Sequence, residues 1–342
     1  MRITSKAPCR VDLAGGTLDI WPLYLFHPNA VTVNFAVDRY TSCVIATRTD
    51  REIHLHSGDL KQSESYGTLE ELRGTKKHKL PLIAQILKFF TPETGLDVHT
   101  HSEAPAGAGI SGSSSLFISA TCAFNKLTGA GHSLEKLREI AQNLEAQVIN
   151  VPTGCQDYFP AMYGGVNAIE LTPAGLKRAE IKIPHDELIR RVVLAYTGMP
   201  RNSGINNWEV MKAHIDGNKQ VHKNFDQIAA IATGMRQALL SSNWKETGRL
   251  LREEWSHRRK NAPGITTPLI DRLIDVTRRA GSTGAKVCGA GGGGCMMFLV
   301  EPDAKQKVAA LIEAEGAQVL DVKVASKGVT VKVEKETAAA EQ

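Results

Sequence analysis

The chain predicts a two-domain fold of the α/β (α+β) class, on three observations. A length of 342 residues suggests two domains. Stretches with period-two apolar alternation interleave with stretches of helical spacing. Two glycine-rich runs, 105–116 and 289–294, are embedded in apolar, core-like sequence, which sets them apart from flexible linkers.

Composition narrows the function. Hydrophobic residues make up 42% and charged residues 23% of the chain, ordinary values for a soluble globular protein. The formal net charge is +5, but the basic residues are dispersed. The short clusters Lys76-Lys77-His78-Lys79 and His257-Arg258-Arg259-Lys260 lack interleaved aromatics, which argues against nucleic acid. The six cysteines (9, 43, 122, 155, 288 and 295) form no CxxC pair and read as buried free thiols of a reducing cytoplasm. The first residues lack a signal-peptide core, and no run of eighteen apolar residues predicts a membrane span. The expected location is cytoplasmic.

In chain order, residues 1–20 read as a strand ending in the Gly15-Gly16 turn. Arg10 and Asp12 alternate with Val11 and Leu13 and therefore share one strand face. Residues 31–49 give one or two β-branched strands, 51–75 a polar hairpin and loop, and 79–90 a helix. Residues 96–101 alternate as a strand. The pairs His54/His56 and His99/His101 lack a further ligand close in sequence and read as partly exposed strand faces. Residues 105–116, PAGAGISGSSSL, lie between this strand and a helical run at 116–127. A strand, a Gly/Ser loop and a helix start form an anion cradle, with backbone N–H groups turned inward at a positive helix end. The Gly-Lys-Ser/Thr ending of a Walker A loop is missing.

Ser133 caps a helix over 133–149 whose apolar face includes Leu137, Ile140, Ala141 and Leu144. Glu145 sits late in that helix, where the dipole disfavours an acid, and this local violation hints at function. A Pro/Gly break then leads to a lone Asp157. A strand over 166–171 and a turn-rich stretch over 173–184 close the first half, and the domains divide as 1–185 and 186–342. The second half opens with a strand at 191–196. Helices follow at about 206–214, 219–241, 244–255 and 269–280. Two apolar strands then flank the 289–294 glycines, and a helix and closing strands fill 305–333.

Taken together, three ordered motifs resemble the GHMP kinases, the family of galactokinase, homoserine kinase and mevalonate kinase. They are APCRVDLAGGTLD at 7–19, PAGAGISGSSS at 105–115 and GAGGGGC at 289–295. The sugar branch, and heptose-phosphate kinases in particular, is the most similar, through AGG in the first motif, VDRY at 37–40, GCQDYFPAMYGG at 154–165 and YTG at 196–198. Where the family loop reads Leu-Gly-Ser-Ser, this chain has Ile110-Ser111-Gly112-Ser113, with Gly and Ser exchanged. Asp12 stands where relatives carry Asn or Ser.

The resemblance implies an N-terminal domain like ribosomal protein S5 domain 2, a ferredoxin-like C-terminal domain and a cleft between them. It implies ATP and Mg²⁺ as cofactors and phosphoryl transfer to a hydroxyl of a sugar or sugar phosphate, with D-glycero-D-manno-heptose 7-phosphate first. A free hexose such as galactose or fucose, a mevalonate-type alcohol, or a non-catalytic binding protein of the same fold are the other readings. Asp157 would act as base and Arg10 would support it. Pro105, Gly107, Ala108, Gly109, Ser111, Gly112, Ser113 and Ser114 would hold the nucleotide, and Ser113 and Glu145 the magnesium. Asp19, Gly16, Thr17, Gly291, Gly292 and Arg201 would bind the acceptor, and Lys260 and His27 are further candidates for a phosphate on it. The implied partners are ATP and a small polyhydroxylated acceptor, with no nucleic acid and no membrane; a homodimer is left open.

Overall fold

The two longest strands, β1 (Arg2–Ala14) and β2 (Val31–Thr47), pair antiparallel through apolar and β-branched residues, with Ile3 opposite Ile45 and Val11 opposite Phe35. The structure is a computed structural model describing residues 1–199 and 203–334, with backbone alone for 203–206. A hairpin follows, β3 (Ile53–Ser57) and β4 (Gln62–Tyr66). The rest of 51–75 differs from the loop expected there, because α1 (Leu69–Gly74) forms. Thr68 caps it by accepting from the Glu71 N–H, and Glu70 and Glu71 sit at its positive end. Next come α2 (Pro81–Phe90) and β5 (Leu96–Ser102), which runs parallel to β3 and antiparallel to β2.

The Gly/Ser stretch leads into α3 (Gly112–Thr128), which begins inside the serine run instead of at 116. It is followed by α4 (Leu134–Ile149) and the short α5 (Tyr158–Tyr163). β6 (Val166–Thr172) pairs with β2 and with β7 (Gly175–Glu180). β7 occupies the stretch read from sequence as turns; its half-exposed charged residues give no apolar alternation to find.

α6 (His185–Ile189) leads to the second unit: β8 (Val192–Tyr196), α7 (Ser203–Ile215), α8 (Lys219–Leu240), α9 (Trp244–Arg258), α10 (Pro268–Arg278), β9 (Ser282–Val287), β10 (Cys295–Val300), α11 (Lys305–Ala314) and β11 (Gln318–Leu320). Its sheet has the order β11-β8-β10-β9, antiparallel throughout. Fourth, first, third, second is a ferredoxin-like βαββαβ arrangement with extra helices after its first strand. The last strand, β12 (Thr330–Glu334), returns to the first sheet and pairs with β1, Arg2 opposite Glu334. All six cysteines are buried and none is joined in a disulfide.

Helices α2 to α5 cover one face of the large sheet, with Phe117, Phe124 and Leu144 against Ile45 and Leu55. A second core is continuous across the two units, with Val11, Leu13 and Phe35 beside Met235, Leu251 and Met297. The two glycine-rich loops meet at this junction. The Cys295 N–H donates to the Ala108 carbonyl at 2.6 Å. Gly294 has φ 77°, and a Cβ there would lie 2.6 Å from the same oxygen. Gly294→Ala is therefore expected to cost about 2–3 kcal/mol in urea unfolding from strain and collision. Gly198→Ala, at φ 78° with open space around it, should show the left-handed backbone cost alone, about 1–2 kcal/mol.

Candidate active site

A cleft of about 340 Å³ opens where α3, the β1 turn and the second glycine loop converge. It is lined by Arg10, Thr17, Asp19, Glu145, Gln156 and Asp157, and by the Gly/Ser loop from Pro105 to Ser114 except Ala108 and Ile110. Thus Pro105, Gly107, Gly109, Ser111, Gly112, Ser113 and Ser114 all reach it. Ala108 is buried beneath it and holds the second glycine loop through its carbonyl.

The Gly/Ser loop is shaped by left-handed residues: Gly107 (φ 67°), Gly109 (φ 74°) and Ser111 (φ 64°). The exchange of Gly and Ser is resolved here. Ser111 occupies the left-handed position at the helix start, and Gly112 becomes the first helical residue. Among the described residues no side chain caps this end of α3, so its first N–H groups remain available to an anion.

Arg10 is 3% exposed and organises the centre. Its Nε and Nη2 donate to Asp157 Oδ1 at 2.9 and 2.6 Å, and its Nη1 donates to the Gly109 carbonyl at 2.7 Å. Both contacts to Asp157 use one oxygen, which leaves Oδ2 for another partner. Burial disfavours the guanidinium, but Asp157 and then Asp12 outweigh it, so Arg10 stays charged.

At the α3 end, Ser113 Oγ donates to Glu145 Oε1 at 2.7 Å, and Tyr158 OH donates to Glu145 Oε2 at 2.6 Å. Burial raises the Glu145 pKa, and the bonds from Ser113 and Tyr158 pull it back. A hydroxyl and a carboxylate in contact beside an uncapped helix start suit a hard, oxygen-preferring cation.

At the opposite end, Asp19 Oδ2 accepts from the Gln156 N–H at 2.8 Å. Gly154 is glycine of necessity, since a Cβ there would lie 2.1 Å from Asp19 Oδ2. Burial, reinforced by Asp157, pushes the Asp19 carboxyl up to about 7. Gly16 does not line the cleft; a Cβ on it would strike Asp12 and Arg258. Gly291 and Gly292 also lie off the cleft wall, turned to the Ile265 carbonyl, while Gly289 and Ala290 line it. Arg201 lies outside the described residues. Lys260 is exposed, and His27 is buried away from the cleft against His214.

Sequence reasoning missed the charges behind Arg10. Lys286 Nζ donates to Asp12 Oδ2 at 2.9 Å and to Glu254 Oε1 at 2.8 Å. Arg258 Nη1 donates to Asp12 Oδ2 at 2.8 Å, and its Nη2 bonds the Gly289 carbonyl. All four side chains are buried, and Arg258 also lines the cleft. Burial alone would raise the Asp12 pKa, but Lys286, then Arg258 and Arg10, hold it well below the carboxylate range. The available signal was a lysine inside the apolar run Ala285–Val287.

Two consequences are measurable. Lys286→Met leaves two buried carboxylates to one arginine and should cost about 3–5 kcal/mol in urea unfolding. Adding Asp12→Asn should return part of that, and additive losses would show that the two do not interact. For Asp19, the folded chain keeps a proton that the unfolded chain releases, so stability falls as pH rises from the unfolded pKa to about 7. Asp19→Asn should flatten that fall by about 2–3 kcal/mol between about pH 5 and about pH 8; an unchanged slope would rule out this proton.

The comparisons with known proteins agree with this architecture. Residues 81–165 match the GHMP kinases N terminal domain and residues 235–318 the GHMP kinases C terminal domain. The chain is 26% identical over 341 residues to D-glycero-alpha-D-manno-heptose 7-phosphate kinase of Campylobacter jejuni, covering 96% of this chain and 98% of that protein. It is 23% identical to mevalonate kinase of Thermococcus onnurineus, covering 97% and 98%. Among solved structures, a D-glycero-D-manno-heptose 1-phosphate kinase from Bacteroides thetaiotaomicron superposes with TM-score 0.78 at 23% identity, covering 97% of this chain and all of that one. Lactococcus lactis galactokinase complexed with galactose superposes with TM-score 0.77 at 19% identity, covering 96% and 95%.

Proposed function

The chain belongs to the GHMP kinases, and from that premise we propose an ATP-dependent sugar kinase whose acceptor is a heptose phosphate, D-glycero-D-manno-heptose 7-phosphate first. The observation that carries the reading is Asp157 held by Arg10 in the same cleft as the uncapped end of α3. The heptose choice draws on the named activity of the Campylobacter relative.

Bound Mg²⁺-ATP would supply the phosphoryl group and the metal charge that neutralises its oxygens. The N–H groups at the start of α3 and the loop from Gly107 hold the phosphate chain. Ser113 Oγ and Glu145 would hold the magnesium, whose charge would offset that of the phosphate oxygens. Leu60, Leu82 and Ile149 also line the cleft and offer apolar surface to a flat base. Asp157 Oδ2 takes the proton from the acceptor hydroxyl, while Arg10, bonded to Oδ1, orients the carboxylate and offers positive charge to the reaction. Asp19, Thr17 and Gln156 orient the remaining hydroxyls. We place the domain division at residue 185 and the protein in the cytoplasm.

Coupled ADP release with Mg²⁺-ATP across hexoses, heptoses and their phosphates, with mevalonate and homoserine included, tests this. Turnover should be highest on the heptose 7-phosphate. Asp157→Ala should lose about 10²–10⁴-fold in kcat with the ATP affinity nearly unchanged. Turnover of the variant near the native rate would overturn the base assignment, and preference for a free hexose would overturn the acceptor.

A further inference from the structure

Away from the cleft, three imidazoles come together from separate segments. His27 follows the turn Leu23–Phe26, His214 lies near the end of α7, and His222 lies in the first turns of α8. His27 and His214 are buried and His222 half-buried. One ligand nitrogen from each ring lies within 4.8 Å of the others.

The outer hydrogen bonds set which nitrogens carry lone pairs. His27 Nδ1 lies 2.7 Å from Asp226 Oδ1, a carboxylate that accepts, so His27 carries its proton there and presents Nε2. His222 Nε2 lies 2.9 Å from the His214 carbonyl, which also only accepts, so Nδ1 is its lone-pair nitrogen. His27 Nε2 and His214 Nε2 face each other at 2.8 Å, so a single proton of His214 fills the space between them. The rings of His214 and His222 stack with centroids 3.9 Å apart, and Phe225 stacks on His27. Leu23, Val210, Met211 and Val221 belong to the same apolar cluster.

We propose that His27, His214 and His222 form a binding site for a divalent transition-metal cation of the zinc class, with Asp226 orienting His27. Three imidazoles in an apolar shell, one backed by a carboxylate and one by a carbonyl, match the chemistry of such sites. Binding needs the His214 proton on Nδ1 instead of Nε2, so that both facing nitrogens present lone pairs. With metal–nitrogen bonds of about 2.0–2.1 Å, tetrahedral ligands sit about 3.3 Å apart, so the His27–His214 pair opens by about half an ångström, and water completes the coordination. The cation would tie the segment after Thr17, Asp19 and Ile20 to the helix that carries Asn207. All four residues line the cleft, so the site acts as a clip on one wall of it.

The test uses the full chain, stripped with a chelator and titrated with Zn²⁺ by calorimetry and with Co²⁺ by visible absorption. The native chain should bind one equivalent with the intense Co²⁺ bands of a low-coordinate nitrogen site, and Zn²⁺ should raise its thermal midpoint. Asp226→Asn, at an exposed carboxylate that leaves the fold intact, should weaken binding about 10–100-fold. His222→Gln, half-buried, should abolish both the bands and the thermal shift, and circular dichroism checks its fold. The proposal is overturned if the native chain binds no Zn²⁺ saturably. It is equally overturned if Asp226→Asn and His222→Gln both bind as the native chain does, because the metal then sits elsewhere, such as at Ser113 and Glu145.

Discussion

Lys286 lies between the carboxylates of Asp12 and Glu254, at 2.9 and 2.8 Å, and Arg258 closes the set from the cleft side. Asp12 belongs to β1 of the first sheet, while Lys286, Glu254 and Arg258 belong to β9 and α9 of the second unit. Buried charges of this kind add little net stability, since desolvation offsets their attraction, but they penalise any arrangement that separates them. The two units are thereby committed to one relative placement. The period of two along β1 carries that commitment to Arg10, two residues before Asp12 and on the same side of the strand. A slip of one residue in β1 would set Val11 among the charges and turn Arg10 away from Asp157.

The Gly/Ser loop shows how the frame leaves donors available. Three successive carbonyls are occupied by the protein: Ala108 by the Cys295 N–H, Gly109 by Arg10 Nη1 and Ile110 by the Arg10 N–H. The loop is held largely by its acceptors, with the Ala108 N–H bonded to the Pro105 carbonyl, and the uncapped end of α3 is left for a ligand. Ser111 bears a left-handed backbone at about 1–2 kcal/mol, a strain placed where the chain turns into the helix.

Most elements could be read from periodicity, because their apolar faces are one-sided. The exceptions are α1, α5 and α6, each too short for a period, and β7, whose exposed edge has no apolar alternation. Within the cleft, Arg10, Asp19, Ser113, Glu145 and Asp157 were legible because each breaks a local rule or sits in a recognisable motif. Glu145 at the wrong end of its helix is the plainest case, explained by the bonds from Ser113 and Tyr158. Gly291 and Gly292 look equivalent to Gly289 in sequence, and only the turn of the loop separates those that face the cleft from those that face Ile265. The partners of Lys286 and the grouping of His27, His214 and His222 depend on contacts between distant segments, which no local pattern encodes.

The pairing of β1 with β12 has a consequence for synthesis. Arg2 stands opposite Glu334, so the outer edge of the first strand described is covered by the last one described, about 330 residues later in the chain. On the ribosome the large sheet can assemble β1, β2, β5 and β6 early, yet β1 must wait with one edge unpaired while the entire second unit emerges. Contacts of such sequence separation form late. The nascent chain thus passes through an interval in which a nearly complete sheet offers an open edge, the period when holdase chaperones would engage it.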